Sequence, residues 1–134
     1  MGTEHGIEEL MRSKIQNNGN SDTDTALSVS DAELYARFFR VLSDPTRIRL
    51  LHLLLNASET GRTVSALVIA VGAPQSRVST HLGCLRWCGL VQSYREGKHV
   101  YYRIADSRVR QLLALSGAMM RDHAAGIASC SVIS

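Results

Sequence analysis

The sequence lacks the features of a membrane-spanning or exported protein. It contains no apolar run of the roughly 18 residues that a membrane-spanning helix requires, and no apolar segment follows a basic start. Three cysteines in such a chain fit reduced thiols better than a framework of disulfides. We therefore expect a cytoplasmic protein that does not associate with membranes.

The sequence also lacks the surroundings of a catalytic site. His81 lies near two cysteines in the sequence, but no glycine-rich loop, oxyanion arrangement or third orienting residue accompanies them. The length of 134 residues suits one domain with tails. These absences predict a single-domain binding protein and not an enzyme.

Charge is distributed unevenly along the chain. The net charge is +3, but residues 1–30 carry five acidic and two basic side chains, whereas residues 31–134 carry seven acidic and thirteen basic ones. A basic folded part favours a polyanionic partner. We expect a flexible N-terminal tail over residues 1–29, a folded domain over residues 30–125 and a C-terminal tail over residues 126–134.

Helix-start signals place two helices in the first part of the domain. Ser30 and Glu33 have the spacing of a capping box, and Asp44 followed by Pro45 is typical of a second helix start. The first helix is expected to bury four apolar residues, which are Leu34, Phe38, Val41 and Leu42.

Two further helices and a hairpin follow. The third helix is predicted from Val64 to Val71, closed by Gly72, and the fourth begins at Pro74 and ends at Gly89. Two strands separated by a tight turn are then predicted, and Asp106 is expected to cap the last helix. The strands are Leu90 to Arg95 and His99 to Ile104. The fold class is therefore mainly α with a β-hairpin wing, a winged helix-turn-helix.

The fourth helix carries a polar face beside its core stripe. Val78, Leu82 and Leu85 recur at i, i+4 and i+7 and predict the buried stripe. Polar side chains on the first turns and basic ones on the wing can read base edges or bind phosphates. The predicted DNA-binding residues are Gln75, Ser76, Arg77, Ser79 and Thr80 on the helix, and Arg95 and Lys98 on the wing.

Cys84 and Cys88 lie one helical turn apart on the same helix, with about 6 Å between their Cα atoms. Both sulfurs could hold one ion, and thiolates select soft ions. The alternative is two small buried hydrophobic residues, but both lie away from the core stripe. Oxidation is a second alternative, although a disulfide at this spacing is awkward on a helix. His81, on the same edge, is a candidate fourth ligand, with a structural or DNA-side role as the favoured alternative.

Four segments of the sequence resemble the ArsR/SmtB family of repressors. They are Asp44 to Leu51, Val78 to Leu82, Gly89 to Val91 and Gly97 to Tyr102, within a resemblance from about residue 34 to residue 115. The resemblance implies a homodimer paired through the first and last helices, with its two recognition helices in successive major grooves. It also implies repression of a promoter until an inducer, usually a metal ion, weakens DNA binding.

Two types of metal site found in this family are not expected here. Arsenic-type members carry a Cys-x-Cys pair on the third helix, where this chain has only Val64 to Val71. Zinc-type members use an Asp-x-His pair and later ligands on the last helix. Asp106 matches that pattern, but Arg108 replaces the histidine and His123 stands without the rest.

The cysteines instead resemble the cadmium- and lead-sensing CmtR branch of the family. In that branch the recognition helix supplies two thiolates and the C-terminal tail a third, which implies Cys84, Cys88 and Cys130 as ligands here. Mercury-responsive members also use cysteine triads, and zinc stays open as well. The predicted inducer is thus a soft divalent ion. If the last helices pair, a tail can reach the partner's recognition helix, so we expect each site to be completed across subunits.

Overall fold

A computed structural model describes residues 26–133 of the chain, so most of the predicted N-terminal tail lies outside the described residues. The described part divides into two units, one ending at Leu42 and one beginning at Ser43. The helices are α1 (Val29–Val41), α2 (Pro45–Leu55), α3 (Val64–Val71), α4 (Gln75–Trp87), α5 (Arg108–Asp122) and α6 (Ala124–Ser129). The strands are β1 (Arg62–Thr63), β2 (Val91–Glu96) and β3 (His99–Ile104). The first unit contains α1, and the second contains all the other elements.

The start of α1 differs from the prediction. Ser28, not Ser30, is the N-cap, and its Oγ accepts a hydrogen bond of 3.1 Å from the backbone N–H of Asp31. Ser28 and Asp31 have the same serine-to-acid spacing as Ser30 and Glu33, so the sequence holds two possible starts. The predicted capping box at Ser30 and Glu33 was wrong because the earlier of the two starts is used.

The apolar side of α1 is not buried in the described chain. Leu34, Val41 and Leu42 are half-buried, while Phe38 is 39% and Phe39 55% exposed. The expectation that Leu34, Phe38, Val41 and Leu42 form a buried face was therefore wrong for a single chain. Exposed apolar surface of this kind is typical of an interaction site.

The second unit is built on α2, which starts as predicted. The carboxylate of Asp44 accepts hydrogen bonds of 2.8 and 3.2 Å from the backbone N–H groups of Thr46 and Arg47, and Pro45 occupies the first turn. Fully burying one leucine stabilises the fold by about 1.5–3 kcal/mol. The buried core consists of Leu50, Leu51, Leu54, Leu67, Val71, Val78, Leu82, Leu85, Leu90, Val91, Tyr102, Val109 and Leu113.

The helix α3 has the predicted bounds and is fixed to α2. The hydroxyl of Thr63 accepts a hydrogen bond from the backbone N–H of Ala66, and Gly72 closes the helix with φ of 73°, a conformation that glycine adopts without strain. The guanidinium of Arg49 donates hydrogen bonds to the carbonyl oxygens of Val71 and Ala70 at 3.0 and 3.4 Å. The end of α3 is thus held by a side chain of α2.

The wing is a three-stranded antiparallel sheet in the order β1-β3-β2. The β2–β3 register runs from Val91 opposite Ile104 to Glu96 opposite His99, which leaves a two-residue turn beginning at Gly97. The turn is one residue shorter than predicted. β1 was not predicted, because its two residues pair with β3 from within a segment that the sequence presents as a loop.

The last helix begins at Arg108, and its N-cap is Ser107, whose side chain makes no capping hydrogen bond. The predicted cap, Asp106, lies one residue earlier, where its carboxylate accepts a hydrogen bond of 3.0 Å from the backbone N–H of Arg108. The helix α5 ends at Asp122, and a separate helix α6 begins after His123. The sequence analysis did not predict α6 as a separate helix, because its residues were assigned to the last helix and the C-terminal tail. No residue of α6 is buried in the described part of the chain. Within residues 26–133, no helix combines the length and the apolar character needed to cross a membrane.

Candidate DNA-binding surface and thiol site

The helix α4 is anchored by its predicted stripe. Val78, Leu82 and Leu85 are each 0% exposed. Pro74 precedes the helix and supplies no side-chain cap. The backbone N–H groups of the first turn can therefore bind an anion such as a DNA phosphate.

The polar residues predicted to face DNA are on the surface. Part of this surface lies in a groove of about 360 Å³ between the start of α3, α4 and the wing, which brings together Gln75 and Ser79 of α4 and Lys98 of the wing turn. The hydroxyl of Thr80 donates to the backbone oxygen of Ser76 at 2.9 Å. The exposed residues are Gln75, Ser76, Arg77, Ser79, Thr80, Arg95 and Lys98.

Six of the residues that line this groove were not predicted, and three of them have polar side chains at the start of α3 or of β3. Thr63 and Ser65 line it from the start of α3, and His99 lines it from the wing. The capping role of Thr63 and the position of Ser65 at the start of a helix-turn-helix are visible in the sequence. Their approach to Lys98 is not, because it depends on the pairing of β1 with β3.

The second half of α4 holds the two thiols side by side. Cys84 is half-buried and Cys88, which is the C-cap of the helix, is exposed. Burial raises the pKa of the Cys88 thiol, the Cys84 thiol raises it further through its charge and a hydrogen bond, and the charge of Arg47 opposes both. The predicted proximity of the thiols is therefore present within one chain.

A polar network connects this half of α4 to the start of α2. The guanidinium Nη1 of Arg47 lies 3.2 Å from Nδ1 of His81, and Nε2 of His81 lies 3.7 Å from a carboxylate oxygen of Asp44. Burial raises the pKa of the Asp44 carboxyl, but hydrogen bonds from backbone N–H groups and the charges of His81 and Arg47 outweigh it and hold the pKa below its usual value. Because both ring nitrogens of His81 face polar partners, His81 is a structural residue here more than a metal ligand.

Comparison with known proteins identifies the family. Residues 44–93 match the family described as bacterial regulatory protein, arsR family. A protein of Streptomyces lividans named as a probable mercury resistance operon repressor is 43% identical over 98 residues, which cover 73% of this chain and 76% of that protein. The chain belongs to the ArsR family of transcriptional regulators.

Two further relatives agree with this assignment. The transcriptional regulator CmtR of Mycobacterium tuberculosis is 44% identical over 79 residues, which cover 58% of this chain and 64% of CmtR. A winged helix-turn-helix DNA-binding domain from Mycobacterium bovis, described as homodimeric, has 34% identity and a TM-score of 0.60, covering 73% of this chain and 91% of that domain. The predicted family and fold are confirmed, and with them the expectation of a DNA-binding regulator instead of an enzyme.

The zinc-type ligand position of the ArsR family is occupied differently in this chain. Arg108 binds the carboxylate of Asp106 through its side chain, with its Nη2 2.7 Å from Oδ2. Hydrogen bonds from the Arg108 side chain and backbone lower the pKa of Asp106 to about 2. His123 lies in the break after α5. The carboxylate that the resemblance assigns to a metal site is thus paired with a guanidinium.

The third cysteine does not join the other two within one chain. Cys130 is half-buried and follows α6. Among residues 26–133 of a single chain, no three histidine, cysteine, aspartate or glutamate side chains are grouped closely enough to hold a metal ion. One chain therefore brings together two of the three predicted sulfur ligands, Cys84 and Cys88.

Proposed function

We propose that this ArsR-family protein is a homodimeric cytoplasmic repressor that leaves its operator when a soft heavy-metal ion binds to Cys84, Cys88 and Cys130. The observation that carries the proposal is the adjacent thiol pair on the recognition helix itself. Thiolate sulfur is the ligand type that soft ions prefer. The donor set therefore fits such an ion, with the third sulfur supplied by the partner subunit.

Cadmium and lead are the ions implied by the resemblance to the CmtR branch. Mercury is supported by the similarity to the Streptomyces lividans protein named as a mercury resistance operon repressor. All three share the chemistry of soft, thiophilic cations, and zinc is a weaker candidate on the same ligands. A titration with cadmium, lead, mercury and zinc identifies which of these ions is the inducer.

The test is a titration of the reduced protein with each ion, read by sulfur-to-metal absorbance and by fluorescence anisotropy of labelled operator DNA. We expect at least about a tenfold loss of operator affinity, which corresponds to 1.4 kcal/mol of coupling. Cys84→Ser/Cys88→Ser should bind the operator normally and show neither signal. Magnesium, which prefers oxygen ligands, is the matched control ion. Metal-induced release that persists in the double variant would contradict the proposal.

A thiol redox sensor is the competing function. Cys84 and Cys88 lie at i and i+4 at the end of one helix, a spacing at which a disulfide between them is awkward. This favours the metal-binding role. Operator release by peroxide under metal-free conditions, with no response to the ions, would favour the redox function instead.

A further inference from the structure

Another groove, of about 480 Å³, lies between the end of α2, the wing strands and the start of α5, and is called the α2–α5 groove below. It shares no lining residue with the groove beside α4, and it contains none of the residues predicted to bind DNA or metal. The DNA-binding and metal-binding roles therefore leave this groove unexplained. Its polar lining residues are Ser58, Glu59, Gln92, Arg103, Ser107 and Arg110.

Arg103 gives the α2–α5 groove a positive charge that has no acidic partner in the described part of the chain. Its Nε is buried and has no hydrogen-bond partner among residues 26–133. The guanidinium lies over the ring of Tyr94, with its central carbon 4.7 Å from the ring centroid. A buried donor without a partner destabilises the fold, so this side chain gains free energy when an acceptor draws it into the groove.

Arg110 adds a second guanidinium, whose position is fixed by the end of α2. Its Nη2 donates a hydrogen bond of 2.7 Å to the carbonyl oxygen of Leu55. A guanidinium has five N–H donors, so this bond leaves others for a ligand. Ser107 is the N-cap of α5, but its side chain makes no capping hydrogen bond, so its hydroxyl can also bind a ligand. Guanidinium and hydroxyl donors together suit a carboxylate or a phosphate.

The rest of the lining selects an anion that also has an apolar part. Leu54, Leu55 and Ile104 supply apolar surface, and Glu59 is the acidic residue of the lining. Two positive charges and one negative charge suit a single oxyanion group better than a polyanion such as DNA. A concave, partly apolar site with a few polar groups is typical of small-molecule binding. We infer that the α2–α5 groove binds a small organic anion, a carboxylate or a phosphate monoester, as an effector that acts on the wing.

A row of stacked side chains connects this groove with the wing turn. Tyr94, which lies under Arg103, stacks on Tyr101 with the ring centroids 5.2 Å apart. The ring of His99 meets Tyr101 edge-on at 6.4 Å, and His99 follows Lys98 of the turn. An anion that draws Arg103 away from Tyr94 removes one end of the row and loosens the turn. The bound anion therefore weakens operator binding, an effect that depends on the DNA-binding role of the family and not on the proposed metal response.

The first test follows the nitrogen–proton NMR signal of the Arg103 Nε–H group in the reduced, metal-free dimer. The probes are benzoate and phenyl phosphate, which share an apolar ring and differ in the oxyanion. Benzamide is the uncharged counterpart of benzoate. We expect at least one of the two anions to shift the signal and benzamide to leave it unchanged. A signal that neither anion shifts, or that benzamide shifts equally, would overturn the inference.

The second test measures the affinity for the bound anion by calorimetry. Arg103→Gln and Arg110→Gln should each raise its dissociation constant by about tenfold, because each removes a charge-assisted hydrogen bond. Arg110 is exposed, so its variant tests the site even if Arg103→Gln does not fold. Arg121→Gln is the matched control, because it removes the same charge from α5 outside the groove. An equal loss of affinity in all three variants would show non-specific attraction to a basic protein and refute the site.

The third test measures operator binding by fluorescence anisotropy at constant ionic strength. The saturating anion should weaken operator binding by about fivefold or more in the wild type, within the usual range of coupling between two sites. It should have no effect in Arg103→Gln. An equal effect in both proteins would show competition with DNA and overturn the effector role. Cys84→Ser/Cys88→Ser should keep the response to the anion, so a failure of the metal response is distinguished from a failure of this site.

Discussion

The first half of α4, residues 75–80, and the second half, residues 81–88, differ in what surrounds them. The first half presents five exposed polar side chains to the groove and to solvent around one buried anchor, Val78. In the second half, His81 contacts Arg47 and Asp44 of another helix start, and the two thiols contact each other. Exposed polar side chains can bind DNA, whereas a side chain that contacts α2, such as His81, can transmit a change to the rest of the domain. The difference supports the proposal that one helix carries a reading region, residues 75–80, and a sensing region, residues 81–88.

The largest effect should come from removing an anchor that both halves share. Leu82 is 0% exposed between the two regions. Leu82→Ala should lower the free energy of unfolding by about 2–5 kcal/mol, through lost burial and the cavity left behind. The measurement is urea unfolding of the metal-free dimer. Operator binding and metal binding should weaken together, and a loss of only one of them would mean that the halves are anchored independently.

A medium effect should come from a charge in the reading region. Arg77 is exposed on the first half of α4. Arg77→Ala should weaken operator binding by about tenfold, or 1.4 kcal/mol, and leave the metal stoichiometry unchanged. Arg86→Ala is the matched control, because Arg86 bears the same charge on the same helix but donates to Ser93 Oγ at 3.1 Å. Loss of metal binding in Arg77→Ala would show that the two regions overlap.

The smallest effect should come from the charge of Asp44, next to the sensing region. Its pKa is lowered in the folded protein, so its contribution to stability is present above the unfolded-state pKa of about 3.9 and is lost as the pH falls through the folded-state value. Asparagine also caps helices well. Asp44→Asn should therefore keep the cap, cost less than about 1 kcal/mol at pH 7 and flatten the loss of stability below about pH 4.

Thermal unfolding across this pH range measures the effect of Asp44. Asp44→Ala is the comparison variant, because it removes the cap as well and should cost about 0.5–2 kcal/mol at every pH. An acid-unfolding profile of Asp44→Asn that coincides with that of the wild type would show that His81 and Arg47 do not act on this carboxylate.

Sequence patterns were sufficient where the deciding contacts are local. The bounds of α3 followed from an apolar run between Thr63 and Gly72, and the adjacency of Cys84 and Cys88 followed from one turn of helix. The start of α1 failed for a local reason too, because two serines competed for the same cap. Local rules find such features but cannot choose between two equivalent ones.

Contacts between distant residues could not be predicted in this way. Arg47 and His81 are hydrogen-bonded although they are 34 positions apart in the sequence, and the two residues of β1 form a strand only by pairing with β3. The apolar faces of α1 and α6 are exposed in the described chain, and this exposure depends on tertiary packing that no pattern within one helix describes. The ligand role of Cys130 remains a proposal for the same reason.

The separation of the two halves of α4 has an evolutionary consequence. At 1.5 Å per residue, Cys84 and Cys88 lie about 14 and about 20 Å along the helix axis from Gln75 at its start. Under the proposed function, substitutions at Cys84 or Cys88 therefore change the inducer in a descendant gene without altering which promoter it controls. Substitutions among residues 75–80 can redirect the protein to a new promoter while it keeps its inducer. With this arrangement, the inducer and the promoter of a regulator can change independently of each other during evolution.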